Sequence, residues 1–327
     1  MRATVARPGD LGQAEVALWA SFAAASALGN PFLSHGFARA VGANRDDARV
    51  AVLHDGPAIC AFFAFQAGPD GRGEPIGATI CDAQAVLARP GWDFDAPALV
   101  ATAGLSSWRF DHLVATQGAF EPFHTRRHRS PVVDLSAGHG AFLDEVRRHS
   151  RDLLAQVARR RRRLEHEIGP VSWEWQSPRP HDDLALLERW KSAQYRRTGT
   201  WDRFARPWIG GTLARLVDEQ PGDCAAVLSA LRAGDRTAAV HLGLLGPDRL
   251  CWWFPAYDPD LGRYSPGLIL LLELVAEAAG RGIGLVDLGR GEHGYKLRVT
   301  RRADEVAEGE VPARVRPNQT PSRAVRR

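Results

Sequence analysis

Lysine is the residue type that this sequence most lacks. Lys191 and Lys296 are the only two lysines, although lysine and arginine together number 42. The arginine excess indicates a codon bias, so it is weak evidence for a nucleic-acid partner. A lysine ammonium is a compact charge whose pKa shifts readily on burial, and arginine cannot imitate that behaviour. The two lysines are therefore of particular interest.

Cysteine, tyrosine and long apolar runs are also scarce. None of the four cysteines forms a Cys-x-x-Cys pair, and apolar surroundings predict that most of them are buried, as in a reduced cytoplasmic protein. The longest apolar run, Leu268–Leu272, stops at Glu273, so no transmembrane helix is expected. The first ten residues contain no secretory apolar segment. Three of the four tyrosines fall between residues 257 and 295.

The composition is that of a globular protein of two ordinary domains: 327 residues, 45% hydrophobic and 24% charged, with a net charge of +4. Two segments are strongly basic, Arg159–Arg163 and the tail that begins at Arg314. The first lies within a long predicted helix from Gly140 to Ile168. It is interpreted either as a solvated cationic face or as a surface that contacts phosphate or RNA.

The predicted elements repeat. The order helix, helix, hairpin, loop, helix, strand occurs at about residues 10–114 and again at about 182–288. The Asp55-Gly56 and Gly234-Asp235 pairs predict the two hairpin turns. Residues 115–136 are predicted to be irregular. Duplicated units usually pack together around a shared groove, which favours a site at their junction.

The segment 248–296 contains the strongest functional pattern. A strand is followed by a turn-rich loop, an apolar helix from Leu268 and a short strand that ends near Leu288. Ser265, Pro266 and Gly267 suit the start of that helix. Because a helix N-terminus presents unpaired N–H groups and a positive dipole end, this loop predicts an anion site. Many loops of this kind bind nothing, and that alternative stays open.

Four motifs carry a family resemblance: Trp190–Tyr195, Trp252–Asp258, Tyr264–Gly267 and Asp287–Gly291 with Tyr295-Lys296. On these the chain resembles the GNAT acetyltransferase superfamily, and more closely the bacterial CelD/BcsL-like family linked to cellulose and other envelope polysaccharides. That family is similar in fold to the Fem-type aminoacyl transferases.

The resemblance implies an α+β fold of two tandem GNAT-like units, with mixed, mostly antiparallel sheets flanked by helices. We expect an N-terminal unit at residues 1–136 and a C-terminal acetyltransferase unit at 137–311 that includes the long basic helix, 140–168. Residues 312–327 are expected to be a disordered basic tail.

The resemblance also implies acyl-CoA as co-substrate, with its pyrophosphate on the loop before the main helix. The donor-binding candidates are Arg263, Tyr264, Ser265, Gly267 and Leu268. The superfamily pattern asks for small residues where this sequence has Pro266 and Leu268. That departure leaves a different donor open.

Acyl transfer needs a base for the nucleophile, donors for the oxyanion and an acid for the leaving thiolate. The resemblance suggests Tyr295 as the acid. Lys296 is interpreted as a phosphate or carboxylate ligand. Further candidates for the base or for orienting the acceptor are His241, Asp258, Glu292 and His293. For each one, a structural role is the alternative.

The predicted function is that of an acyl-CoA-dependent N- or O-acyltransferase, an acetyltransferase of GNAT type. Its acceptor is predicted to be a small amine or hydroxyl compound that could be sugar-linked, as in polysaccharide biosynthesis. The alternatives are a Fem-like transferase that uses aminoacyl-tRNA and a non-catalytic GNAT scaffold that binds a partner. No ligand spacing suggests a metal, and no nucleic acid other than tRNA is expected. The oligomeric state and the acceptor stay open.

Overall fold

The computed structural model describes residues 1–25, 29–292 and 294–314. The N-terminal half of this part contains three α-helices and seven strands. The helices are α1 (Gln13–Ala25), α2 (His35–Gly42) and α3 (Ala96–Thr102). The strands are β1 (Arg2–Ala6), β2 (Ala48–Asp55), β3 (Ala58–Ala67), β4 (Arg72–Pro75), β5 (Leu87–Ala88), β6 (Ser107–Val114) and β7 (His124–Asp134).

The C-terminal half repeats the order of two helices, a meander, a helix and a strand. Its helices are α4 (Gly138–His149), α5 (Leu153–Glu167), α6 (Pro180–Arg197), α7 (Pro207–Glu219), α8 (Pro266–Gly280) and α9 (Gly294–Val299). Its strands are β8 (Val171–Glu174), β9 (Ala225–Ala233), β10 (Arg236–Leu245), β11 (Arg249–Tyr257), β12 (Leu285–Asp287) and β13 (Ala303–Pro312). The predicted α+β fold is confirmed, and the predicted tail lies outside the described residues beyond Arg314.

The strands form one mixed sheet in the order β1-β2-β3-β4-β6-β13-β7-β12-β11-β10-β9-β8, with β5 paired to β3. Pairing is mostly antiparallel, and β4–β6 and β11–β12 are parallel pairs. The parallel pairing of β11 with β12 covers only Arg249–Cys251 against Leu285–Asp287. Beyond Cys251, therefore, β11 continues to Tyr257 without β12 beside it.

The last strand of the described chain lies among the strands of the first half. Strand β13 is inserted between β6 and β7 and is antiparallel to both. Strand β7 pairs with β13 along most of its length, and its last three residues pair with β12. The two halves thus exchange strands at the centre of the sheet.

Strand β7 corrects one prediction, since residues 115–136 were expected to be irregular. Its first half is basic and lies against the acidic first half of β13. Arg127 pairs with Glu305, and His128 pairs with Glu308. Cross-strand pairs of opposite charge stabilise a sheet. The pattern of β7 alone did not show this, because its partner is more than 170 residues away.

The predicted long helix at 140–168 is also corrected, because the structure divides it into α4 and α5. The break falls at Ser150–Asp152, where the N–H of Ser150 still bonds to Val146 and the N–H of Leu153 restarts on Ser150. Ser and Asp favour such boundaries because their side chains compete for backbone groups.

The equivalent helices of the two halves pack on each other across an apolar core. Helix α2 lies against α7, and the N–H of Gly36 donates to Asp223 at 3.2 Å. Phe32 and Phe37 meet Trp253 of β11 edge-on, with ring centroids 5.2 and 6.2 Å apart. The core that joins the halves therefore reaches the point where β11 separates from β12.

Candidate functional site

The end of β12 lies at the junction of the two halves and contributes the first group of the candidate site. Asp287 is 8% exposed. Its carboxylate accepts hydrogen bonds from Ser130 Oγ at 3.1 Å, Arg249 Nη1 at 2.9 Å and the N–H of Gly289 at 2.9 Å. Gly289 has φ +74°, a conformation that favours glycine, so the chain turns sharply here.

Lys296 of α9 is the second group of the candidate site. It is 5% exposed, and its ammonium donates to the carbonyl oxygens of Gly289 at 2.8 Å and Arg290 at 3.1 Å. Burial lowers the pKa of Lys296 to about 8, against the opposing influence of Asp82 and Asp287. Within the described part of the chain, two of its three protons have acceptors and the third has none.

Asp82 comes from the other half of the chain and faces this lysine. A Cβ placed on Gly289 would lie 3.5 Å from Asp82 Oδ2 and 3.9 Å from Lys296 Nζ. The missing side chain of Gly289 therefore leaves a gap bordered by a carboxylate and an ammonium. The Asp82 side chain keeps 30% of its surface accessible. Burial and then Asp287 raise the pKa of its carboxyl, against the influence of His112, Arg203 and Lys296.

His112 of β6 lies close to the Asp82 carboxylate. Its Nε2 is 4.0 Å from Asp82 Oδ1, and its Nδ1 is 3.0 Å from Asp111 Oδ1. Asp111 in turn accepts from the Gln84 amide at 2.6 Å. Burial lowers the pKa of His112, but Asp111 and Asp82 outweigh it, so the pKa is raised overall. A cationic imidazole beside Asp82 favours the carboxylate form of that residue.

Lys191, Tyr195 and Arg203 form a third group at this junction. Lys191 and Tyr195 are on α6 and are 9% and 7% exposed. Arg203 Nη1 donates to the Tyr195 hydroxyl at 3.1 Å. Arg203 also acts electrostatically on Asp82 and Lys191, so these charges lie in the same region of the molecule.

The predicted donor loop lies at the start of α8 and is flanked by arginines of α5. Ser265 has φ +53°, and its Oγ accepts from Arg160 Nη1 at 2.6 Å. The N–H groups of Leu268 and Ile269 both donate to the Ser265 carbonyl. Pro266 has no N–H, so the N–H of Gly267 is the first-turn donor for which the described residues supply no acceptor.

Two of the predicted donor-binding residues hold the loop together. Tyr264 has no exposed surface, and its hydroxyl donates to Glu167 of α5. Arg263 is exposed, donates to the same carboxylate at 3.0 Å and lies with its Cζ 4.7 Å from the Tyr264 ring centroid. These contacts fix the loop on α5 and bring three arginines to it: Arg160, Arg163 and Arg263.

The predicted catalytic residues do not all come together. Tyr295 is half-buried in α9 beside Lys296, and burial raises its pKa to about 12. His241 has no exposed surface and is stacked on Trp252 at 4.0 Å between ring centroids. Burial lowers the pKa of His241 to about 3, which favours its structural interpretation. His293 lies outside the described residues.

Asp258 and Glu292 are engaged in ion pairs. Asp258 caps a short 3₁₀ turn by accepting from the N–H of Asp260, and it pairs with Arg236 at 2.6 Å. Glu292 is exposed and pairs with Arg129 at 3.0 Å. Neither carboxylate is among the groups that act on Asp82 or Lys296.

Sequence reasoning did not identify Asp82, His112 or Arg203 as site residues. They come from loops and a strand whose own patterns carry no motif. The scarcity of lysine was the useful signal, since both lysines are buried at this junction. Among the described residues, no cluster of His, Cys, Asp or Glu could hold a metal ion, and no helix is long and apolar enough to cross a membrane.

Comparison with known proteins supports the GNAT relationship at the level of domain and fold. Residues 151–297 match the family model described as an acetyltransferase (GNAT) domain. A search of curated proteins finds no match.

Solved structures of similar fold share few residues with the chain. One is the C-terminal domain of a putative lysylphosphatidylglycerol synthetase from Agrobacterium fabrum, with TM-score 0.56 and 13% identity over 92% of each chain. Another is a tandem GNAT protein from the clavulanic acid biosynthesis pathway, with TM-score 0.52 and 12% identity over 97% of this chain and 99% of that one. FemX matches with TM-score 0.51 and 10% identity over 80% of this chain and 87% of that one. At these identities the likeness concerns the fold alone. The chain thus has the fold of tandem GNAT proteins, and residues 151–297 match the model of the GNAT acetyltransferase domain.

Proposed function

We propose that the candidate site at the junction of the halves transfers an acyl group from acyl-CoA to an amine or hydroxyl. The observation that carries this proposal is the placement of the Asp82 carboxylate and the Lys296 ammonium on either side of Gly289. They meet where β11 continues without β12, at the junction of the two repeats. A base and a cationic hydrogen-bond donor around one gap are two of the three groups that acyl transfer requires.

In this mechanism Asp82 accepts the proton of the attacking amine or hydroxyl. Its raised pKa makes the carboxylate a stronger base than an ordinary aspartate. The nucleophile forms a bond to the acyl carbon, and the carbonyl oxygen takes up negative charge. In this mechanism Lys296, whose ammonium already donates to two backbone carbonyls, donates its third proton to that oxygen. His112, held by Asp111, keeps Asp82 ionised between turnovers.

Collapse of the tetrahedral intermediate breaks the carbon–sulfur bond and releases a thiolate, which needs a proton. Tyr295 is the candidate acid. It is adjacent to Lys296 on α9, and its pKa of about 12 keeps it protonated at neutral pH. No covalent enzyme intermediate is needed, because the acceptor attacks the thioester directly.

The start of α8 is the proposed site of the donor phosphates. Among the described first-turn groups the backbone offers only the Gly267 N–H, so Arg160 and Arg263 would supply most of the positive charge. In this proposal, arginine side chains replace backbone N–H contacts in a phosphate loop that has proline and leucine where the superfamily pattern has small residues.

A second candidate donor is aminoacyl-tRNA. It is favoured by the outer face of α5, where Arg159 and Arg162 are exposed and neither pairs with a carboxylate of the described residues. The transfer chemistry would be the same, with a ribose hydroxyl as the leaving group. A sugar-linked acceptor and a CelD/BcsL-like role in polysaccharide synthesis are further proposals. Identification of the acceptor would test both.

The deciding experiment combines donor binding with turnover. We expect the full chain to bind acetyl-CoA in calorimetry and to release free CoA when it is given a panel of amines and amino sugars. Asp82→Asn and Lys296→Met should bind acetyl-CoA as the parent does but transfer about 10²- to 10⁴-fold more slowly. Arg263→Ala should weaken binding.

The matched control is Arg281→Gln at the opposite end of α8, where Arg281 pairs with Glu277. It should change neither measurement. Absence of acetyl-CoA binding together with salt-sensitive tRNA binding would replace the first donor by the second. If neither binds, the chain is a scaffold without this chemistry.

A further inference from the structure

We propose that Lys191 and Arg203 form an anion subsite at the junction of the halves, which holds a carboxylate or phosphate group of the acceptor. The subsite would hold a charged acceptor while its nucleophile reaches the base at Asp82. As a statement about the acceptor, this inference rests on the proposed acyl transfer. The presence of an anion site at these two residues is a separate and independently measurable claim.

Lys191 is a buried cation for which the described residues supply no counterion. It is 9% exposed, and its ammonium donates to the amide oxygen of Gln194 at 3.3 Å. It also lies over the Tyr195 ring, 5.2 Å from the centroid. No carboxylate of the described residues lies within ion-pair distance of Lys191. Lysine is rarely buried to this degree without a partner.

Arg203 is a second cation that forms no ion pair with a carboxylate in the described part of the chain. It lies on the segment between α6 and α7 and is half-buried. One terminal nitrogen donates to the Tyr195 hydroxyl, and the guanidinium lies 5.5 Å from the same ring centroid. Its Nε is buried and finds no hydrogen-bond partner among the described residues. A guanidinium that uses one of its five donors keeps most of its fork for a ligand.

The two cations lie near the same tyrosine ring and repel each other. Both approach the Tyr195 ring, and the pKa of Lys191 is lowered to about 8, by burial first and by Arg203 in addition. An anion between them would relieve this repulsion and satisfy the free donors. Arg203 also acts electrostatically on Asp82, so such an anion would be held in the region of the proposed base.

A carboxylate or a phosphate fits this pair best. Arginine binds both groups with two parallel hydrogen bonds, and lysine adds a point charge. Tyr195, which both cations approach, is stacked on Phe204, and Phe204 packs on Phe254 of β11. These contacts hold the tyrosine ring in place. A neutral acceptor would leave both cations unpaired.

The test uses acetate and inorganic phosphate as probes, titrated into the full chain by calorimetry at constant ionic strength. We expect at least one of the two to bind. Lys191→Met and Arg203→Gln should each weaken that binding at least tenfold. The control is Arg206→Gln on the same segment, where the exposed Arg206 lies over Trp201. This control should bind as the parent does.

Two further readouts separate an anion site from a merely structural role. Lys191→Met should raise the melting temperature of the free protein, because it removes an unpaired buried charge. Saturating acetyl-CoA should leave the bound probe in place, because the donor phosphates are assigned to α8. Comparing acetate with phosphate identifies which of the two groups the acceptor carries.

The proposal is overturned if the parent binds neither probe, or if both variants bind as the parent does. It is also overturned if Lys191→Met lowers the melting temperature without affecting binding. Displacement of the probe by acetyl-CoA would assign these cations to the donor and so overturn the acceptor assignment. Failure of the proposed function shows instead in the parent, as an absence of acetyl-CoA binding and turnover while the probe results stand.

Discussion

The two lysines of this chain have similar burial and similarly lowered pKa values, near 8, but different surroundings. Lys296 is held by two backbone carbonyls and faces the carboxylates of Asp82 and Asp287. Lys191 faces another cation and, within the described part of the chain, no carboxylate. The first arrangement suits a fixed donor that acts on the reacting oxygen. The second arrangement suits a cation that binds an anionic ligand.

The pH dependence of transfer should reveal the role of Lys296. A lysine whose pKa is lowered to about 8 is cationic below that pH and neutral above it. If the ammonium stabilises the oxyanion, kcat should fall as pH rises through about 8, by roughly tenfold per further pH unit. At the acid end, Asp82 works only as a carboxylate, so activity should rise as pH passes its raised pKa.

The measurement needs an acceptor whose nucleophile and other groups do not titrate over the range. Lys296→Arg should keep a cation at high pH and remove the alkaline limb from whatever activity remains. Lys191→Met is the matched control, since Lys191 titrates near the same pH, and it should retain the limb. An alkaline limb that survives in Lys296→Arg would rule out Lys296 as its source.

At the scale of elements, the sequence predicted best where a pattern is local. The hairpin through Asp55-Gly56 and the meander β9–β10–β11 follow from strand patterns and turn residues, and they are confirmed. The predictions for residues 115–136 and for one continuous helix over 140–168 were wrong. A basic strand is recognisable only beside its acidic partner β13, and three polar residues can either continue or interrupt a helix. Asp82 was missed for a related reason, because it acquires its chemistry from Lys296 and His112, which are far away in sequence.

Gly309 of strand β13 is packed closely against its neighbours, and a substitution there tests this packing. A Cβ on Gly309 would lie 2.0 Å from the Phe123 carbonyl oxygen and 2.8 Å from Phe110 Cζ. The neighbours are backbone and a fully buried ring, so neither can move cheaply. We expect Gly309→Ala to lower the free energy of unfolding by about 3 kcal/mol, the upper end of the range for overpacking.

Urea unfolding of the full chain measures this loss. Gly280→Ala at the end of α8 is the control, because an alanine Cβ there would have no described atom within 4 Å and the φ of Gly280 is ordinary. It should be neutral or stabilise by up to about 1 kcal/mol, as alanine does in place of glycine in a helix. Equal stability of the two variants would show that β13 is not packed as described.

At the scale of the whole molecule, the exchanged strands bind the two repeats into one sheet. Strand β13 supplies buried residues such as Ala307 and Val311 to the apolar core of the first half. Strand β7 covers the edge of β12, whose three residues would otherwise have β11 as their sole partner among the described strands. The proposed site depends on this arrangement, because Asp82 comes from one half and Lys296 from the other. The proposed function at this junction therefore requires both halves.

This architecture predicts that the proposed units, residues 1–136 and residues from 137 onward, do not fold separately. The first fragment would lack β13 and expose the edges of β6 and β7, and the second would carry β13 without either neighbour. Unpaired strand edges with apolar faces aggregate. We expect each fragment alone to aggregate or to unfold without a cooperative urea transition. Co-expression should yield a one-to-one complex with a single transition like that of the intact chain. Cooperative unfolding of either fragment by itself would contradict this, since it would mean that the exchanged strands are dispensable and that the two repeats are independent domains.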